Sequence, residues 1–150
     1  MATASALSHS SLSSSLGKRV LAGVAGGLAG GIVFGMLMAM MGMLTMIASM
    51  VGSSSAMVGF GVHLMISMLI GLGLTVLFGN RLLSSYGRGV VVGIGYGAIW
   101  WVLGPLMIMP AMLGMPLFAL SLTTMLSLMG HMIFGAILAL VAVRIIAARA

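Results

Sequence analysis

The sequence predicts an all-α polytopic membrane protein, four transmembrane helices arranged as two tandem parallel-repeat hairpins. Three observations predict it. Of 150 residues 62% are apolar and only 4% charged, with no Asp or Glu, and the mean hydropathy is +1.34; a soluble surface needs about 25% charged residues. Four apolar runs reach the roughly 20 residues that cross a bilayer core. The six cations, Lys18, Arg19, Arg81, Arg88, Arg144 and Arg149, all fall outside or at the ends of those runs.

Residues 1–17 form a Ser-rich leader too poor in hydrophobic groups to order itself, so it reads as a flexible tail with His9 solvated within it. An acid-free, Ser-rich leader also fits a cleavable organelle transit peptide, which leaves cleavage open. A single transmembrane domain is expected over 18–150. Its first span is placed at about 20–47 after Lys18 and Arg19, and the second at about 57–78, ended by Gly79, Asn80 and Arg81. The third is placed at about 90–109 after Arg88, and the fourth at about 123–146, closed by Arg144 and Arg149. Pro105, Pro110 and Pro116 should kink or stop the third span near its end, because proline removes a helical donor.

Four spans place the leader, the second loop and the C-terminus on one side of the membrane. Those segments carry all six cations, while loops 49–56 and 114–122 carry none. The Lys/Arg bias assigns the basic side to the cytoplasm, so a multi-pass protein of the cytoplasmic membrane with both termini inside is expected. Membrane lipid is then the first partner. Six scattered cations form no phosphate-tracking patch, so nucleic acid is not expected. Without cysteine there are no disulfides or thiolate metal sites. Without carboxylates, paired-acid hydrolysis, Asp/Glu cages for Ca²⁺ or Mg²⁺ and acidic proton relays are beyond this chain alone. No nucleophile has a base beside it in the pattern, and an enzyme is not expected.

Gly17, Val20, Gly23 and Gly27 recur as Gly87, Val90, Gly93 and Gly97, each displaced by 70, and His63 recurs as His131, displaced by 68. Two-span repeats are parallel, related by an axis along the membrane normal. Gly23, Gly27, Gly31 and Gly35 lie at four-residue intervals on one face of the first span; Gly89, Gly93 and Gly97 do so on the third. Such stripes let backbones approach where no hydrophobic force joins helices in lipid. Packing of span one on span three is one expectation, and docking of a second copy or of another membrane protein's helix is the other.

Apart from Met1, the methionines cluster toward the uncharged side, and His63 and His131 fall in the same layer. Ser67, Gly71 and Thr75 continue the face of His63, and Ser127 and Gly135 flank His131 at helical spacing. Such faces turn inward, because imidazole in lipid needs a partner, and the repeat would bring both rings to one depth. Three chemistries compete. The histidines could hydrogen-bond across helices while Met fills gaps. They could ligate a b-type haem, with the glycine stripes making room for the macrocycle. Or thioether and imidazole together could hold copper as Cu(I). Trp100 and Trp101 fall near mid-depth, where a buried indole N–H needs a partner or a cavity.

The segments GPLMIMP (104–110), GMPLF (114–118) and SLMGHMIFG (127–135) resemble a group of uncharacterised small four-helix membrane proteins of bacteria and archaea. That resemblance implies the four-helix membrane fold and carries no activity with it. The function expected is a non-enzymatic membrane module, self-associating or an accessory subunit of a larger complex through its glycine faces. A haem- or copper-binding protein using His63 and His131, or a small transporter, are the alternatives.

Overall fold

The computed structural model describes the backbone of residues 2–147 and the side chains of 15–147 except Asn80. The expected tail over 1–17 is therefore described only in part, and His9 and Arg149 lie outside the described side chains. The elements are α1 (Ala2–Met40), α2 (Leu44–Ser49), α3 (Ala56–Leu82) and α4 (Tyr86–Leu103), then a π-helical turn (Gly104–Ile108), α5 (Met109–Leu113) and α6 (Leu122–Ala147). Four segments are long and apolar enough to cross a membrane: Ser15–Met40, Ala56–Gly79, Tyr86–Leu113 and Leu122–Ala147. The protein is a multi-pass membrane protein.

One boundary differs from expectation and one interruption agrees with it, each for a local reason. The first span ends at Met40 instead of near residue 47, because Gly42 takes φ +69°. With that left-handed residue in place Met43 N–H donates back to the Met38 carbonyl (2.9 Å), closing the helix with a Schellman-type bond. The chain then turns into α2, which ends at Ser49 and is followed by Gly52 at φ +74°. The third span is broken where proline was expected to break it. Pro105 opens a π turn, and Met109 N–H reaches back five residues to the Gly104 carbonyl before α5 resumes. Such wide turns occur as single insertions in otherwise regular helices.

The packing order across the bundle is α3, α1, α6, α4, with α2 lying on α3. Neighbouring spans run antiparallel. Lys18 and Arg19 at the base of α1, Arg81 on α3, Arg88 on α4 and Arg144 on α6 therefore share one end, the basic end, and the two long loops share the uncharged end. Arg19 donates to the Val76 carbonyl in α3 (3.3 Å), a cation against the carbonyl-rich end of a helix.

Contact in the basic half is backbone on backbone. A Cβ on Gly23 or Gly27 would meet Gly71, Leu72, Ser67 or Met68 of α3, and one on Gly31 or Gly35 would meet Ser67, Phe60 or His63. A Cβ on Gly93 or Gly97 would fall on the Gly135 or His131 carbonyl of α6, and one on Gly89 would meet Val143. The expectation that these stripes join span one to span three is thus corrected: each packs within its own hairpin. A second α1 face, Gly26 and Gly30, meets Leu138 and Phe134 of α6, and Gly130 of α6 makes room for Phe34. The hairpins are alike inside, with Gly71 set against Gly23 and Gly27, and Gly135 against Gly93 and Gly97. They are not placed alike, because α1 is covered by α6 whereas α4 scarcely touches α3.

Candidate functional site

The weak contact between α3 and α4 leaves a space in the uncharged half of the bundle. Tyr96 of α4 closes it below by donating to the Ile70 carbonyl of α3 (2.9 Å). Above it sits α2, which contributes Met43, Ile47 and Met50 to the lining. The walls come from every span: Phe34 and Met38 of α1, His63 and Ser67 of α3, Trp100 of α4, and Ser127 and His131 of α6. The interrupted segment adds Gly104, Pro105, Ile108 and Met109, and the cavity measures about 240 Å³.

Both histidines lie on this cavity, and Phe34 stands between them in the packing. Its ring makes edge contacts with His63 (centroids 5.3 Å apart) and with His131 (4.6 Å). The sequence expectation of one shared level for the two imidazoles agrees with this common contact. Their tautomers follow from their partners. His63 Nε2 lies 3.0 Å from the Gly31 carbonyl of α1, and an oxygen that can only accept requires the proton on Nε2. Its lone pair is then on Nδ1. The Cδ2 side of the same ring faces Gly35 of α1, so Nδ1 lies on the edge away from that helix.

His131 is the mirror case in chemistry. Its Nδ1 lies 2.8 Å from the Ser127 carbonyl and 3.3 Å from the Ser127 hydroxyl, which puts the proton on Nδ1 and the lone pair on Nε2. Each ring is therefore oriented by one N–H bond to backbone and keeps one basic nitrogen without a hydrogen-bond commitment. This is the arrangement by which proteins orient imidazole ligands, where the outer N–H bond fixes tautomer and direction.

The tryptophans separate. Trp101 Nε1 donates to the Thr124 carbonyl of α6 (2.7 Å), whereas Trp100 Nε1 is buried without a hydrogen-bond partner. Trp100 packs edge-on to Tyr96 (6.2 Å) and its ring lines the cavity, while its N–H is enclosed by protein. A buried polar group left unpaired costs about 1–3 kcal/mol.

The methionines divide as well. Met38, Met43, Met50 and Met109 line the cavity, while Met36, Met40, Met57, Met65, Met112, Met125 and Met129 are exposed on the bundle surface. Among the described residues no three of His, Cys, Asp and Glu come together, so thioethers are the remaining donors beside the imidazoles. The haem alternative does not fit. The glycine stripes that were to make room for a macrocycle are filled by helix backbones. The 240 Å³ available is also below the ~300–1,000 Å³ of pockets for drug-sized ligands.

His63, His131, Ser67 and Ser127 were legible from helical spacing. Phe34 and the α2 cover were not, since nothing in an apolar run marks which Phe or short helix faces a cavity. Compared with known protein families, curated proteins and solved structures, the chain matches none.

Proposed function

We propose that the protein is a non-enzymatic binding protein of the cytoplasmic membrane, with both termini cytoplasmic, that holds a small guest in the cavity between α3 and α4. One observation carries this reading. Two imidazoles, each anchored to backbone through one nitrogen and free at the other, share a cavity that four methionines also line. His63 ties α3 to α1 through the Gly31 carbonyl, but the His131 ring bonds only to Ser127 within its own helix and so joins no two helices, which leaves its place on the cavity unexplained by packing. The glycine faces that suggested an accessory subunit are covered by the chain's own helices, which favours a function inside the bundle over docking on it.

A thermal-unfolding panel on purified protein in mild detergent tests the reading. The probes are silver(I), zinc(II), ammonium, haemin and n-butanol, each applied to the wild type and to the His63→Ala/His131→Ala double variant. A guest at a hundredfold excess over its dissociation constant adds about 2.7 kcal/mol, or a shift of roughly 5–10 °C in a chain of this size. At least one probe should protect the wild type and not the double variant. A panel in which every probe affects both alike overturns the reading.

Transport is the second reading, favoured by the interrupted α4–α5 segment beside the cavity. Broken spans at a binding site are a feature of secondary transporters. Its test is flux into sealed vesicles of whichever probe the panel selects.

A further inference from the structure

We infer that the guest is a soft monovalent metal ion, Cu(I) in chemical class, held by His63 Nδ1 and His131 Nε2 together with thioethers drawn from Met38, Met43, Met50 and Met109. The inference rests on the reading of the cavity as a binding site and adds the identity of what it binds. Each part of the lining bears on that identity.

The nitrogens come first. Both imidazoles are fixed in tautomers that leave one lone pair apiece, and each is held by a bond from its other nitrogen to a backbone carbonyl. A guest that only accepted hydrogen bonds would find no donor on these nitrogens. A metal ion or an N–H or O–H donor finds two lone pairs, and the remaining donors decide between them.

Sulfur is the second donor type. Met in a membrane bundle ordinarily fills irregular gaps, because it is unbranched and flexible. Here four Met side chains line the cavity, and they come from α1, the turn before α2, its C-terminal cap and the start of α5. Elements far apart in sequence thus bring thioethers to the same space as the imidazoles. Thioether and imidazole together form a soft, neutral donor set that selects Cu(I) among biological metals.

Charge is the third constraint. Among the described residues there is no carboxylate, and the remaining lining is apolar apart from Ser67, Ser127 and Trp100. The desolvation cost of an ion rises with the square of its charge, so a divalent cation without a counter-anion is disfavoured far more strongly than a monovalent one. Hard cations also prefer carboxylate, carbonyl and water oxygen, which this cavity scarcely offers. A monovalent ion bonded covalently to sulfur and nitrogen is the species that these walls suit.

The cover has the geometry for loading. Met43 and Met50 flank α2, and the left-handed glycines Gly42 and Gly52 lie just outside them. Two thioethers are thereby carried at the two ends of a short helix that lines the cavity.

Silver(I), which shares this coordination chemistry without redox activity, is the probe. Purified full-length protein in chloride-free detergent buffer is mixed with silver nitrate, desalted and analysed for bound silver. The expected result is one silver ion per chain, with affinity reduced at least tenfold by His131→Ala and severalfold by Met109→Leu. Met129→Leu, on the exposed surface, should leave it unchanged. Met109→Leu conserves volume and guards against a folding failure in the histidine variant. In protein labelled with ¹⁵N-histidine, silver should shift His63 Nδ1 and His131 Nε2 and spare the two protonated nitrogens. Silver that binds equally to the histidine and Met109 variants, or that tracks the exposed methionines, overturns the inference. If another probe of the panel binds in a histidine-dependent way while silver does not, this inference fails and the cavity reading stands; if none binds, both fall.

Discussion

The two halves of the bundle are built from the same helices and packed in opposite ways. Toward the basic end, glycine meets backbone: Gly23, Gly27 and Gly71 in one hairpin, Gly93 and Gly135 in the other, Gly26 and Gly30 against α6. Toward the uncharged end Gly59 still meets the α2 backbone and Gly130 admits Phe34, but Phe, Trp, His and Met line the inner faces, and α3 and α4 stand apart around a cavity. Helices in lipid associate through contact and hydrogen bonds, with no water to expel. Side-chain size along a face therefore decides where the bundle closes and where it stays open. The basic half is a clamp, and the uncharged half is the space the clamp holds open.

The comparison breaks most sharply at Gly93. A side chain there would fall on the Gly135 carbonyl and the Ala139 methyl, so Gly93→Leu should force α4 off α6. Overpacking costs typically 1–3 kcal/mol and more where the obstacle is backbone, so the expected outcome is loss of a monodisperse folded species, read by gel filtration in detergent. A Gly93→Leu protein that elutes and melts like the wild type would deny that the clamp exists. Phe34→Ala comes next in size. It removes the ring that both imidazoles contact and enlarges the cavity, at a cost of about 3 kcal/mol, the low end for such truncations, because lipid offers no water-transfer term. The same variant should let the His131 ring reorient, seen as broadened histidine ¹⁵N resonances.

Smaller effects sharpen the boundary between the halves. Tyr96→Phe removes the hydrogen bond to the Ile70 carbonyl that closes the cavity floor, and should lower stability by about 1 kcal/mol while loosening α3 from α4. Spin labels at Leu69 and Ile99, both exposed, would report that loosening as a broader distance distribution. Trp100→Phe deletes an unpaired donor, and the empty protein should lose less than about 1 kcal/mol, since relief of the orphan N–H offsets the smaller ring. Gly95→Ala, where a Cβ meets nothing within 4 Å, should change the melting temperature by less than a degree or two, about the size of a surface substitution, and serves as the control for Gly93.

Much of this was readable along the chain. The four spans follow from run length, and α3 and α6 end within a few residues of where charge and Asn80 indicated. The interruption at Pro105 follows from its missing N–H. The Gly42 turn was missed because glycine is so frequent in this chain that a terminating glycine looks like a packing one. The inward faces of His63 and His131 followed from the price of imidazole in lipid. Their neighbours Phe34 and Trp100 carry no such penalty, so periodicity had no means of choosing them from among other large apolar residues.

By itself, then, the sequence determined the solvent, the number of crossings, the shared end of the cations and the inward turn of the polar side chains. Those properties follow from the transfer energy of each residue taken alone. Only the tertiary structure decided that the glycine stripes serve their own hairpins, that α1 and α6 form the centre, and that α3 and α4 part to leave a cavity edged by imidazole and thioether. Those are properties of pairs of surfaces, set by which side chain lies opposite which, and a one-dimensional pattern of sizes does not state its partner.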